Sequence, residues 1–144
     1  SNIYAFWMPK KPLLKGKQYN FNYTMNWSSI DPNATNNIGI VTSTKSWTDK
    51  DDIYFSIRFE GQKLKQLPAI TNLVAITSIS DNAKVVGSAQ IFKDPYDNDW
   101  VVIIKTQKEK TVKKSDVMSI SCTLYNNNKP VTETWAYKYA FHNL

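Results

Sequence analysis

Glycine is scarce in this chain, four in 144 residues, which leaves no room for a glycine-rich loop that wraps its backbone around phosphates. The single histidine, His142, stands third from the end. Chain ends fray, so an oriented imidazole for Ser-His-Asp or Cys-His catalysis is not expected. The one cysteine, Cys122, excludes an internal disulfide. It shares an alternating face with Met118, Ile120 and Leu124 and reads as a small buried hydrophobe. No apolar run approaches the ~18 residues that span a bilayer, so no membrane insertion is expected. The opening Ser1 to Trp7 lacks the basic region and apolar stretch of a signal peptide.

Convergent acids are also missing. Asp94, Asp97 and Asp99 with Asn98 fail the EF-hand spacing and lack its glycine; they read as turn formers, as do Asp49, Asp51 and Asp52. Glycoside hydrolysis needs two carboxylates facing each other across a cleft. Every acid here falls in a loop, a turn or on a wet strand face, except Glu133. We therefore expect no metal site, no cofactor, no catalytic residue and no enzyme activity in this chain.

What the chain has in quantity is alternation. From Gln18 to Trp27, Tyr19, Phe21, Tyr23, Met25 and Trp27 interleave with Gln18, Asn20, Asn22, Thr24 and Asn26. Successive side chains of a strand point to opposite faces, so this segment predicts a half-buried strand. Ile53 to Glu60 repeats the pattern, as do Val117 to Tyr125 and Val131 to Tyr139. In the last of these Glu133 shares the parity of Val131, Trp135 and Tyr137, and so needs an edge or a partner. Weaker strands are expected over Ile3–Met8, Ile38–Lys45, Asn72–Ile79, Lys84–Phe92 and Trp100–Thr106. The nearly continuous apolar runs Ala69–Ile79 and Val101–Ile104 point to central strands.

Asp31–Asn37, Asp94–Asp99 and Asn126–Pro130 carry turn chemistry, and no amphipathic helix is apparent. About nine short strands with turn-rich connections predict an all-β, immunoglobulin-like antiparallel β-sandwich, a single domain over residues 1–144. Strand counting alone leaves a closed barrel open.

The formal net charge is +6, which permits anionic partners. The lysines are dispersed, however, and the aromatics segregate to apolar strand faces, so no nucleic-acid partner is expected. Trp27 and Trp135 read as core anchors. Trp7, Trp47 and Trp100 stand near strand ends or loops and are the candidate contact residues, either to a neighbouring domain or to a sugar ring.

Three segments together resemble the C-terminal domain of the periplasmic glucan biosynthesis family (MdoG/OpgG and OpgD). Ala5-Phe-Trp-Met-Pro9, followed by Pro12, Gly16 and the alternation Tyr19, Phe21, Tyr23 and Trp27, is similar to the family's aromatic-Trp-x-Pro run, Pro…Gly turn and strand ending in Trp. Phe55-Ser-Ile-Arg-Phe-Glu-Gly61 resembles its apolar strand closing in Phe-x-Gly. Glu133-Thr-Trp-Ala-Tyr137 resembles its terminal Glu-Thr-Trp-x-Tyr signature. The matches run in order from about Ile3 to Tyr139.

The resemblance implies a periplasmic protein of a Gram-negative bacterium handling β-1,2-linked glucan. It also implies a larger N-terminal domain carrying the sugar cleft, which this chain does not contain. On that basis the chain is expected to be a non-catalytic accessory domain. Its partners would be the glucan-handling domain of the same protein and other components of glucan synthesis. The alternative is a carbohydrate-binding module using exposed aromatics.

Overall fold

The computed structural model describes residues 12–22, 38–110, 112–113 and 115–141. Their order is β1 (Ile40–Asp49), β2 (Asp52–Glu60), α1 (Gln62–Gln66), β3 (Val74–Ile79), β4 (Ala83–Val85), β5 (Gln90–Lys93), β6 (Trp100–Lys108), β7 (Val117–Asn126), β8 (Lys129–Pro130) and β9 (Trp135–Ala140). Two antiparallel sheets pack as the expected all-β sandwich. One runs β1-β2-β6-β4, with β5 also on β6; the other runs β3-β7-β8, with β9 also on β7.

The alternation in β2 and β7 decides which faces meet. Ile53, Phe55, Ile57 and Phe59 of β2 are fully buried in one cluster with Met118, Ile120, Cys122 and Leu124 of β7 and with Val102 and Ile104 of β6. Burying an aliphatic or phenyl side chain of this size is worth roughly 1.5–3 kcal/mol before entropy is charged, so β2 alone contributes a large share of the drive to fold. Thr106 is buried on the same face and satisfies its hydroxyl by donating to the Ile53 carbonyl at 3.1 Å.

Several sequence expectations are corrected by the packing. The stretch Val131–Tyr139 is not one strand. Its chain leaves the ladder after Pro130, and Thr132 forms a parallel bridge to Gly39 while its hydroxyl accepts the Leu124 N–H at 3.0 Å. Thr132 is thereby the buried residue there, against the parity read from Val131. Lys84–Phe92 divides into β4 and β5 around Gly87, whose φ of +71° takes the chain out of extended geometry. Among the described residues Val74–Ile79 pairs only to β7 and is an edge strand, not a central one; Val74 and Ile76 are more than half exposed. β6, by contrast, is central, flanked by β2 on one side and by β4 and β5 on the other.

No amphipathic helix is apparent in the sequence, and α1 escapes that reading because five residues are too few to show a helical period. Its C-terminal carbonyls are satisfied from outside: Lys93 Nζ donates to the Lys65 and Leu67 carbonyls at 2.6 and 2.8 Å. Gly61, which opens the helix, packs so close to Gly39 that a Cβ would lie 2.9 Å from the Gly39 Cα. Residues 18–22 carry no strand and belong to neither sheet, with Tyr19 39% and Phe21 65% exposed. Alternation makes a segment competent for a ladder, but no partner edge among the described residues reaches this one. The rest of the Gln18–Trp27 expectation, and Ile3–Met8, lie outside the described residues.

Candidate functional site

The antiparallel register assembles the outer face of the five-stranded sheet row by row. Trp47 on β1 is opposite Tyr54 on β2, and Tyr54 is opposite Lys105 on β6. The indole and phenol rings stack with centroids 5.2 Å apart and planes within 5°. Lys105 Nζ lies 5.8 Å from the Tyr54 ring centroid, a cation–π arrangement, and pairs with Asp52 Oδ2 at 2.6 Å. Gln107 Nε2 donates to the other Asp52 oxygen at 2.6 Å. The bonds from Lys105 and then Gln107 hold the Asp52 carboxyl below the ordinary value of 3.8. The reciprocal bond to Asp52 raises Lys105 above 10.5.

One row further along β1 and β2 are Lys45 and Ser56, then Ser43 and Arg58. Arg58 gathers the aspartates of the turn before β6. Its Nη2 is 2.7 Å from Asp94 Oδ2, and its Nη1 is 2.7 Å from Asp97 and 3.4 Å from Asp99. Lys65 of α1 bonds Glu60 at 2.8 Å and lies 3.2 Å from the buried Asp99 Oδ1. That last contact is an ion pair without hydrogen-bond alignment, since Asp99 Oδ1 has no hydrogen-bond donor. The Tyr96 backbone N–H, followed by Arg58, lowers Asp94 below 3.8. Asp94 raises Arg58, and Glu60 followed by Asp99 raises Lys65.

These shifts all run away from neutrality and fix each group in its charged form. A proton carrier at neutral pH needs the opposite. Asp94, Asp97 and Asp99 thus do more than form a turn, because their ion pairs clamp it onto β2 and α1. Among the described residues no group of three or more His, Cys, Asp or Glu is placed to hold a metal ion.

The candidate contact residues fare differently. Trp47 is 43% exposed and heads the outer row. Trp100 is corrected: at 1% exposure it belongs to the core, and its Nε1 donates to the Leu64 carbonyl at 3.0 Å. A residue at a strand end looks accessible in sequence, but α1 closes over this one. Trp135 is a core anchor at 4% exposure, its Nε1 donating to Thr44 Oγ1 at 2.9 Å. Trp7, Trp27 and His142 lie outside the described residues.

Tyr54, Lys105, Asp52 and Gln107 are not legible as a group in the sequence. Tyr54 shows there only as a wet-face residue of β2, and nothing local says which residue of another strand stands beside it.

The residues that build this face fall within one family match. Residues 1–139 match the model of a family described as the periplasmic glucan biosynthesis protein MdoG, and the chain belongs to that family.

Proposed function

We propose that this sandwich is a non-catalytic interaction domain of a periplasmic glucan biosynthesis protein, working in the periplasm. It docks against the glucan-handling domain of the same protein and supports that domain and the synthesis machinery around it. The observation that carries this reading is the segment 12–22. It exposes Leu13 and Leu14 at 56% each, Tyr19 at 39% and Phe21 at 65%. The hydrogen bonds described for it are local, Leu14 N–H to Tyr19 Oη at 2.9 Å and Lys17 N–H to the Leu14 carbonyl at 3.3 Å.

A period-two aromatic segment left in water is a ladder without its partner edge. The glucan-handling domain supplies that edge, and contacts of this kind commonly bury ~600–1,500 Å². The charged clusters support the same reading, because their pKa directions suit fixed ion pairs rather than proton transfer.

Hydrogen–deuterium exchange tests the docking. Amides 18–22 exchange without protection in the 144-residue chain and slow by at least about tenfold in the longer protein carrying the glucan-handling domain. Equal rates in the two proteins overturn the reading.

A further inference from the structure

We infer that the Trp47–Tyr54 pair, with the polar hollow beside it, is a contact subsite for a neutral glucan strand. This goes beyond the docking reading and does not depend on it. The choice of polymer follows the family match, whose description names glucan biosynthesis.

Three features of the outer face point to a sugar. Tyr54 covers one face of the Trp47 indole in a parallel stack; β1 has no second neighbour strand among the described residues, and the ring stays 43% exposed. Tyr54 is in turn braced by Lys105, which Asp52 holds. The platform is thus fixed before a ligand arrives, which lowers the ordering cost of binding.

Next to it the register continues Asp52–Gln107–Lys84 across the sheet. There a hollow of about 440 Å³ is lined by Asp51, Lys84, Gln107, Lys108, Glu109 and Lys110. Pockets of this size are ordinarily lined by apolar side chains. Here charged and amide heads rim the hollow while their aliphatic stems form most of its wall, a mixture that suits a ring with an apolar C–H face and hydroxyl edges.

Finally, the neighbours of Trp47 on this face are Lys45 and Ser56; the exposed Phe92 of the same sheet is opposite Val101, two rows and three strands away, and the exposed Val74, Ile76 and Val117 belong to the other sheet. A small aromatic platform flanked by hydrogen-bonding groups fits a pyranose, which has an apolar C–H face and a polar rim. A protein partner would fit a broader apolar patch. Asp52 and Lys105 neutralise each other, so the row makes no strong demand for an anion.

The test is an NMR titration of the full 144-residue chain with a linear β-1,2-linked gluco-oligosaccharide, with an α-1,4-linked one in parallel. The expected result is a saturable shift of the Trp47 indole N–H and of the 105–109 amides at millimolar sugar. Trp47→Ala weakens binding by about tenfold or more, the scale of one lost aromatic stacking contact. Gln107→Ala weakens it by a smaller factor and provides a second variant outside the aromatic pair. An unmoved indole signal in the wild-type protein overturns the proposal, as does binding that persists unchanged in a folded Trp47→Ala protein. Binding of single-stranded DNA at this row, falling steeply with salt, also overturns it, in favour of a nucleic-acid surface. If the indole shifts only when the glucan-handling domain is added, Trp47 is a docking residue and the glucan subsite is refuted.

Discussion

Glu133 Oε1 accepts the Val41 backbone N–H at 2.7 Å across a sequence separation of 92 residues. Around this bond the two sheets are stitched together, since Gly39 donates to the Val131 carbonyl at 2.7 Å and Glu133 N–H to the Gly39 carbonyl at 2.8 Å. The acid that broke the apolar parity of its segment is therefore a tie between β1 and the segment entering β9. A hydrogen bond with one charged partner is worth about 1.5–3 kcal/mol. Glu133→Ala should lose about that much in urea denaturation, while Glu133→Gln, which keeps the acceptor oxygen, should lose under about 1 kcal/mol. Equal losses in the two variants would refute the tie.

Trp100 and Trp47 should respond in opposite ways. Trp100→Ala empties a core position and abandons the Leu64 carbonyl, at a cost of about 3–5 kcal/mol. Trp47→Ala removes an exposed ring stacked on Tyr54 and should cost no more than about 1.5 kcal/mol. Urea midpoints of the two variants measure the contrast, and a larger loss at Trp47 would contradict the burial of the two rings.

Acid should weaken the Arg58 clamp. Asp94 titrates below 3.8 in the folded chain, so the unfolded chain binds its proton first as pH falls. The stability it confers is complete above that value and is lost as pH drops through the folded one. Arg58→Met should lower the urea midpoint at neutral pH, and its deficit should shrink as pH falls below 3.8. A deficit independent of pH would mean that Arg58 acts by packing alone.

Cys122 should be chemically silent. Burial pushes its thiol from 9.0 up to about 12, and reactivity follows the thiolate. Ellman's reagent in mildly alkaline buffer should label the native protein at least ~100-fold more slowly than the urea-unfolded chain. The folded state holds the proton more tightly, so this contribution to stability is complete below 9.0 and disappears as pH rises toward 12. Cys122→Ala should flatten that alkaline decline, and an unchanged decline would assign it to other groups.

How much of the fold is legible depends on whether the signal is local. β2 and β7 can be read almost to the residue, because each buries one face and wets the other over nine and ten residues. Val74–Ile79 misleads because its composition suits a central strand, and only the lack of a second neighbour among the described residues makes it an edge. Gly87 marks the break between β4 and β5, but one glycine does not reveal the length of the gap. Of the candidate surface, Trp47 is visible in the sequence and its row partners Tyr54 and Lys105 are not. Trp100 looks equally accessible until α1 is in place above it.

By itself the sequence determined the class of the fold and which side chains face the dry interior, because a period of two is a property of the backbone within a single segment. It also determined that Cys122 would be buried and that Glu133 required a partner. The tertiary structure alone decided who that partner is, which tryptophan is covered, and that Trp47, Tyr54 and Lys105 form one row. Those outcomes depend on the register between strands far apart in the chain, and register is fixed only when both faces of the sandwich close together.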